Sequence, residues 1–252
     1  MPDAPFPEDL PAAILAGGLG TRLRGCLNNL PKPLAPIHGL PFLAYLLWQL
    51  HDAGCTRAIL CTGHRGDLVE ATFGRRFGNV VLDYSREQTP LGTAGALRHA
   101  FPAVRADHVL VMNGDTFCHI PLQTFIQRAL ARPGTESLAV VPAGETASYG
   151  RILLDDAGLV RSFDEKPAAG ESPGVVNAGI YLLSASLLSG LPANTAVSLE
   201  REVLPRTASE RKLNGFTFSG PFLDIGVPER LAAADSFLHD LADRVAEIWK
   251  PS

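Results

Sequence analysis

The sequence predicts an α/β protein whose core is a doubly wound, mostly parallel, mixed sheet. In the first half of the chain, short apolar strand-like runs alternate with helical patterns. Repeated β-then-α units of this kind form parallel sheets with helices on both faces. In the second half, short strands follow one another with few helices between them, which favours mixed or antiparallel additions to the same sheet.

The elements of the first half are apolar runs bounded by glycine and proline. Strands are predicted at 12–18, 57–63, 80–85 and 108–115, and helices at 41–54, 66–74 and 92–101. Ligands of doubly wound sheets bind beyond the carboxyl ends of the strands. We therefore expect functional residues to follow these strands directly.

The second half is predicted to extend this sheet and to end in a long helix. Strands are predicted at 137–143, 150–155, 159–166, 175–184 and 213–220, and helices at 199–208 and 228–249. Pro228 suits the first turn of the last helix, whose apolar positions form one stripe. No linker is long enough to separate independent domains, so the sequence predicts one domain over 1–252.

The composition argues against several classes of protein. A hydrophobic fraction of 46% provides a substantial core, and a net charge of -4 argues against a nucleic-acid partner. No apolar run reaches the roughly 20 residues of a membrane span, and the start of the chain lacks the pattern of a signal peptide. The four cysteines are widely spaced and form no CxxC pair. They are expected to be free thiols of a cytoplasmic protein.

The glycine-rich segment 15–33 carries the most information. Gly17, Gly18 and Gly20 follow a predicted buried strand, where a backbone without side chains can wrap closely around phosphates. Arg22 and Lys32 add cations that a polyanion needs. Because Lys32 lies between two prolines, it is expected on a stiff, extended segment.

Several kinds of site share such a turn. A Walker A loop is excluded because GxxxxGK[ST] is absent, and the dinucleotide fingerprint GxGxxG has Leu23 in place of its third glycine. The residues alone leave open a plain turn with surface cations, an NAD(P)-dependent oxidoreductase and a non-catalytic nucleotide-sugar sensor.

The segment LAGGLGTRLR followed by LPKPLAPI resembles the signature of the sugar-1-phosphate nucleotidyltransferase family, GGxGTRL followed by PKP. Further segments resemble the family in the family's order: PLGTAGAL (90–97), VMNGDT (111–116), YGRI (149–152), FDEKP (163–167), NAGIYLL (177–183) and FLDIGVPE (222–229). The last of these segments, FLDIGVPE, resembles most the heptose-1-phosphate guanylyltransferase branch. Mannose-1-phosphate guanylyltransferases and N-acetylmuramate-1-phosphate uridylyltransferases are similar too.

The resemblance implies the Rossmann-like nucleotide-diphospho-sugar transferase fold. It implies a nucleotide-binding half at about 10–117, a sugar-binding half at about 118–226 and a C-terminal helix at 227–252. The implied partners are a nucleoside triphosphate, with GTP favoured, a sugar 1-phosphate, with heptose favoured, and Mg²⁺. The oligomeric state stays open, with a homo-oligomer paired through the last helix as one option.

The resemblance also assigns the catalytic and metal residues. Arg22 would bind the leaving β- and γ-phosphates, and Lys32 would neutralise charge near the α-phosphate. Asp115 and Asp224 would hold Mg²⁺, which typically takes one or two carboxylates. An Asn-Gly hairpin at Asp115 and a structural role for a buried Asp224 remain alternatives.

The remaining site residues follow from the same resemblance. The phosphate loop would comprise Ala16, Gly17, Gly18, Gly20 and Thr21, and the base site Glu87, Gly92 and Thr93. A carboxylate at position 87 only accepts hydrogen bonds, which suits guanine, although a solvated surface position is equally open. The sugar phosphate would contact Gly150, Glu165, Lys166 and Asn177. Glu165 and Lys166 can serve one site only if their strand ends or bulges there.

Overall fold

The computed structural model describes residues 5–18, 20, 23, 25–27, 30–142, 151–164 and 174–250. Its strands are β1 (Ala12–Leu15), β2 (Pro36–Ile37), β3 (Leu40–Pro41), β4 (Arg57–Thr62), β5 (Arg76–Phe77), β6 (Val80–Arg86), β7 (His108–Asn113), β8 (Thr116–Cys118), β9 (Glu136–Pro142), β10 (Arg151–Leu154), β11 (Val160–Asp164), β12 (Val175–Ser184), β13 (Leu213–Thr217) and β14 (Phe222–Asp224). Its α-helices are α1 (Phe42–Asp52), α2 (Gly66–Phe73), α3 (Gly92–Val104), α4 (Leu122–Leu130), α5 (Ala185–Ser189), α6 (Leu204–Ser209) and α7 (Pro228–Ile248).

Strands β1, β4, β6 and β7 of the first half form the parallel centre of the sheet, while β5 pairs antiparallel with β6 and β2 and β3 form a separate two-stranded sheet. Strand β1 lies between β4 and β7, and β6 follows β4, all of them parallel. The spatial order β6-β4-β1-β7 places the first strand in the middle, as in a doubly wound fold. The predicted α/β class is therefore confirmed.

Strands β9 to β13 of the second half extend this sheet beyond β7. Strand β12 pairs antiparallel with β7, β9 and β10, and β11 pairs antiparallel with β10. Strand β13 pairs parallel with β9. The result is a ten-stranded mixed sheet, as the run of short strands predicted.

The core lies on both faces of this sheet. One apolar layer packs against α1, α4 and α7, and the other packs against α3, α5 and α6. Helix α1 is buried on nearly all sides, from Phe42 to Leu50. A helix that is apolar all round belongs in a core, which explains its position between the sheet and α7. No helix among the described residues is both long and apolar enough to cross a bilayer.

The structure differs from the sequence prediction in several elements. Helix α4 was not predicted, although its one-sided apolar pattern is typical of an amphipathic helix. The predicted helix at 199–208 begins as a π turn, Leu199–Val203, before it continues as α6. Short β8 and β14 were also missed, and they pair with each other rather than with the main sheet.

Candidate active site

Four segments meet at the carboxyl edge of the parallel strands. Ala16 follows β1, Gly63 follows β4, Glu87 follows β6 and Asp115 follows β7. Backbone hydrogen bonds continue the sheet into these turns, with Ala16 N donating to the Cys61 carbonyl at 2.8 Å and Glu87 N to the Thr62 carbonyl at 2.9 Å. The parallel register therefore brings residues that are distant in sequence to one cleft, as expected for this fold.

The cleft consists of two cavities that share a boundary. The first, about 470 Å³, is lined by the glycine loop, the α3 start and the ends of β1, β6 and β7. The second, about 570 Å³, is lined by β7, β8, β12, β14 and the start of α7. Five residues border both: Gly18, Gly20, Lys32, Asn113 and Asp115. After the substrates that the family resemblance implies for their lining residues, we call the first the nucleotide-side cavity and the second the sugar-side cavity.

Lys32 and Asp115 form an ion pair at the boundary. Lys32 begins a 3-10 turn, Lys32–Leu34, so the extended conformation expected for it is wrong, and only the preceding Pro31 is extended (φ -67, ψ 146). Its Nζ lies 2.6 Å from Asp115 Oδ2, and the side chains are 13% and 45% exposed. The lysine therefore projects into the cleft.

Asp115 does not belong to a hairpin. Gly114 N donates to the Leu15 carbonyl at 3.0 Å, which ties the turn to β1. The next strand, β8, pairs with β14 and not with β7. The Asn-Gly sequence at 113–114 is thus a turn at the sheet edge, and the hairpin alternative is excluded.

Asp224 lies beside Asp115 on the neighbouring strand. It pairs in register with Thr116, and Ile225 N donates to the Asp115 carbonyl at 2.9 Å. The Asp224 carboxylate accepts the Gly226 N–H at 2.6 Å and contacts the Arg230 guanidinium. A Cβ built on Gly226 would lie 2.7 Å from Asp224 Oδ1 and 3.7 Å from Lys32 Nζ. The Lys32 ammonium, which pairs with Asp115, thus lies on the same side of Gly226 as the Asp224 carboxylate.

This pair of carboxylates fits the requirements of Mg²⁺. In the described part of the chain, no group of three or more His, Cys, Asp or Glu side chains is placed to hold a metal. Mg²⁺ needs only one or two carboxylates, because water and substrate phosphates complete its shell.

Glu87 faces the nucleotide-side cavity from the end of β6. Its Oε2 accepts the Leu91 N–H at 3.1 Å, and its Oε1 is packed beside the backbone of Gly17 and Gly63. Burial raises the pKa of this carboxyl, while the Leu91 N–H and the nearby His99 act in the opposite direction. Glu87 is therefore an anchored group of the cavity wall, not a solvated surface residue.

The Gly92-Thr93 turn serves the packing of the cavity. Gly92 has φ +68, and a Cβ there would lie 2.5 Å from the Val197 carbonyl. That carbonyl accepts the Ala94 and Gly95 N–H groups at 3.0 and 3.2 Å, so it caps α3. Segment 195–199 thus fills the space beside Gly92 that a side chain would occupy. Gly92 also lines the nucleotide-side cavity.

Thr93 links this turn to Glu200 in the π turn. The Thr93 hydroxyl donates to Glu200 Oε2 at 2.7 Å and accepts the Leu199 N–H at 2.7 Å. Both side chains line the nucleotide-side cavity. A π turn is uncommon and frequently lies at functional sites, and here it directs a carboxylate into the cleft.

Asn177 lines the sugar-side cavity from an irregular stretch of β12. The β9–β12 register shifts between Asn177 and Tyr181, which is typical of a bulge that re-aims a side chain. Asn177 accepts the Gly179 N–H at 2.9 Å and donates to the Tyr181 hydroxyl at 2.8 Å. The Asn113 amide reaches the same hydroxyl at 3.4 Å. Hydrogen bonds to the hydroxyl of the buried Tyr181 thus hold the side-chain amides of Asn113 and Asn177 in place.

Five predicted site residues lie outside the described residues: Thr21, Arg22, Gly150, Glu165 and Lys166. Strand β11 ends at Asp164, directly before two of them. Among the described residues, the cleft brings together Ala16, Gly17, Gly18, Gly20, Lys32, Glu87, Gly92, Thr93, Asp115, Asn177 and Asp224.

Several cleft residues were not singled out from the sequence, among them three polar ones with contacts in the site. Asn113 precedes the Gly-Asp turn, Glu200 follows the helix-capping Ser198, and Arg230 lies in the first turn of α7. A rule that polar residues flanking a motif share its site would have found Asn113. It would also have found Arg230, which follows FLDIGVPE directly. The π turn that directs Glu200 has no sequence signature.

Comparison with known proteins places these features in a family. Residues 11–240 match the family described as nucleotidyl transferase. The chain is 35% identical over 86% of its length to a D-glycero-alpha-D-manno-heptose 1-phosphate guanylyltransferase of Aneurinibacillus thermoaerophilus, covering 94% of that protein. It is 34% identical to the mannose-1-phosphate guanylyltransferase catalytic subunit beta of Drosophila melanogaster, covering 86% of this chain and 60% of that protein.

A solved structure is similar over nearly the whole chain. HddC from Yersinia pseudotuberculosis, complexed with GMP-PN, matches with a TM-score of 0.78 and 32% identity. The match covers 90% of this chain and 98% of HddC. The chain therefore belongs to the nucleotidyl transferase family and is a sugar-1-phosphate nucleotidyltransferase.

Proposed function

We propose that the chain transfers a guanylyl group from GTP to D-glycero-D-manno-heptose 1-phosphate and releases pyrophosphate. The observation that carries this proposal is the order of groups along the cleft. Glu87 lines only the nucleotide-side cavity, Lys32 and Asp115 border both cavities, and Asn177 lines only the sugar-side cavity. This order corresponds to a base, a reacting phosphate and a sugar.

Glu87 is the proposed guanine contact. An ionised carboxylate accepts two hydrogen bonds, and guanine presents two adjacent donors, its N1–H and its amino group. The guanylyl specificity of the similar heptose and mannose enzymes supports this choice, as does the GMP-PN complex of HddC. Gly92 and Thr93 are proposed to border the base site.

Lys32 is the proposed catalytic cation. An oxygen of the sugar phosphate attacks the α-phosphorus, and the bond between that phosphorus and the β-bridging oxygen breaks, so that its electron pair leaves with pyrophosphate. Lys32 would neutralise charge on the α-phosphate, and Arg22 would bind the leaving phosphates. The sugar phosphate is already anionic near neutral pH, so no general base is assigned.

Asp115 and Asp224 are the proposed ligands of Mg²⁺. When bound, the ion would supply positive charge shared by the phosphates of both substrates. The backbone from Ala16 through Thr21 is proposed to surround the triphosphate. Gly150, Glu165, Lys166 and Asn177 are proposed to contact the sugar phosphate. We propose that both halves act as one domain.

A pyrophosphate-release assay tests the proposal. The purified chain would be incubated with Mg²⁺ and each of GTP, UTP, dTTP, CTP and ATP. Each nucleotide would be combined with heptose 1-phosphate, mannose 1-phosphate or N-acetylmuramate 1-phosphate. We expect the highest kcat/KM with GTP and heptose 1-phosphate. Faster turnover with mannose 1-phosphate would reassign the acceptor, and a preference for UTP would overturn the role of Glu87.

A further inference from the structure

Arg230 is a cation of the sugar-side cavity to which the family signature gives no role. It lies in the first turn of α7, and its side chain is 28% exposed. Gly226 and Val227, which lead into this helix, line the same cavity. The guanidinium contacts Asp224, one of the two proposed metal ligands.

Both carboxylate oxygens of Asp224 already have partners, which limits their availability to a metal ion. Asp224 Oδ1 accepts the Gly226 N–H at 2.6 Å, and Oδ2 contacts Arg230. A divalent cation that binds Asp224 therefore competes directly with the guanidinium for Oδ2. Since like charges repel at this range, arrival of the ion favours movement of Arg230 away from the carboxylate.

The charges that line the sugar-side cavity also favour the binding of an anion. Among the described lining residues, Lys32 and Arg230 balance Asp115 and Asp224. Addition of a divalent cation makes this set positive, and a sugar 1-phosphate brings the compensating negative charge. A guanidinium is suited to such a group because its planar fork donates two parallel hydrogen bonds to phosphate oxygens.

We propose that Arg230 binds the phosphate of the sugar 1-phosphate, exchanging Asp224 for the substrate when the metal ion binds. This inference rests on the proposed function, because it requires a sugar 1-phosphate as the acceptor. It makes Arg230 a substrate-binding residue that is specific for the acceptor side. The nucleotide is bound in the other cavity, whose described lining residues do not include Arg230.

The test compares R230M and R230K with the wild-type chain. Arg244, on the same helix, pairs with Asp52 at 3.2 Å outside the cleft, so R244M is the matched control. In R230M we expect the KM for heptose 1-phosphate to rise about tenfold to one-hundredfold, the size expected for a lost hydrogen-bonded charge. The KM for GTP should change less than twofold. R230K should recover part of the loss, since lysine retains the charge without the fork.

A second measurement separates substrate binding from a structural role. Mn²⁺ binding to the free enzyme, followed by electron paramagnetic resonance, should be tighter in R230M than in wild type, because the competing cation is gone. An ion pair that only supports the fold predicts weaker Mn²⁺ binding, a lower Tm and equal losses for both substrates. That pattern would overturn the proposal, and so would an unchanged KM for the sugar phosphate. A wild-type chain without turnover would instead refute the proposed function.

Discussion

The two cavities of the cleft are built differently, although Lys32 and Asp115 belong to both. The nucleotide-side cavity lies at the carboxyl ends of parallel strands, and much of its lining consists of segments that follow those strands, with additions from the Lys32 turn, α3 and Glu200. The sugar-side cavity is assembled from a bulged strand, a detached two-stranded sheet and the start of α7. The position of the nucleotide-side cavity is a property of the fold class. The sugar-side cavity depends on strand pairings that are specific to this chain.

This difference determines which changes should affect one substrate and which should affect both. Residues at the shared boundary should control turnover itself. Residues confined to one cavity should affect the kinetics of one substrate, because the other substrate is bound by a separate set of elements. Substitutions at the boundary and within each cavity test this division.

Substitutions at the boundary should have the largest effect. We expect K32A and D115N each to lower kcat by about 10²–10³-fold or more, since each removes charge stabilisation at the reacting phosphate. The fold should remain intact, because both residues reach the open cleft. Turnover is measured by pyrophosphate release, and circular dichroism checks the fold. K212A is the control, because Lys212 forms an exposed pair with Glu210 away from the cleft. Near-normal rates in K32A or D115N would refute the assigned roles.

Glu87→Gln should have a smaller effect that is confined to the nucleotide. The amide retains one acceptor but loses the charge, so kcat/KM for GTP should fall about tenfold to one-hundredfold. The KM for the sugar phosphate should stay within about twofold. Steady-state kinetics with each substrate varied in turn measure both values. The exposed Glu70, paired with Arg75, provides E70Q as the control. A comparable loss for the sugar phosphate would contradict the division between cavities.

Gly92→Ala should affect stability. The alanine Cβ would meet the Val197 carbonyl at 2.5 Å and would require a φ of +68. We expect a loss of about 1–3 kcal/mol in the free energy of unfolding, which denaturant titration measures. Gly190 has negative φ, and its nearest backbone neighbour is 3.4 Å from an added Cβ, so G190A is the control. Equal stabilities of the two variants would show that segment 195–199 moves aside.

The same contrast explains what the sequence could predict. Glu87 and Asp115 could be placed in one cleft because the carboxyl ends of parallel strands share one edge. Asp224 could be placed only by family resemblance, because its proximity to Asp115 depends on a strand pair separated by about a hundred residues. Glu200 could not be placed, since it depends on a π turn within an apparently regular helix pattern. Non-local pairing and local irregularity are therefore the limits of sequence reasoning here.

The effect of pH on Glu87 is the smallest predicted change, and it has opposite signs for GTP kinetics and for the stability of the fold. Burial raises the pKa of this carboxyl, so it takes up a proton at a higher pH than an ordinary glutamate does. As the pH falls through the raised pKa, kcat/KM for GTP should fall because guanine loses its anionic acceptor. Stability should change in the opposite direction. The native state binds the proton more tightly than the unfolded state, so the Glu87 contribution to the unfolding free energy rises as the pH falls between the two pKa values. Parallel pH profiles of GTP kinetics and Tm for wild type and E87Q measure both. A kinetic profile that is identical in the two proteins would exclude Glu87 as the titrating group.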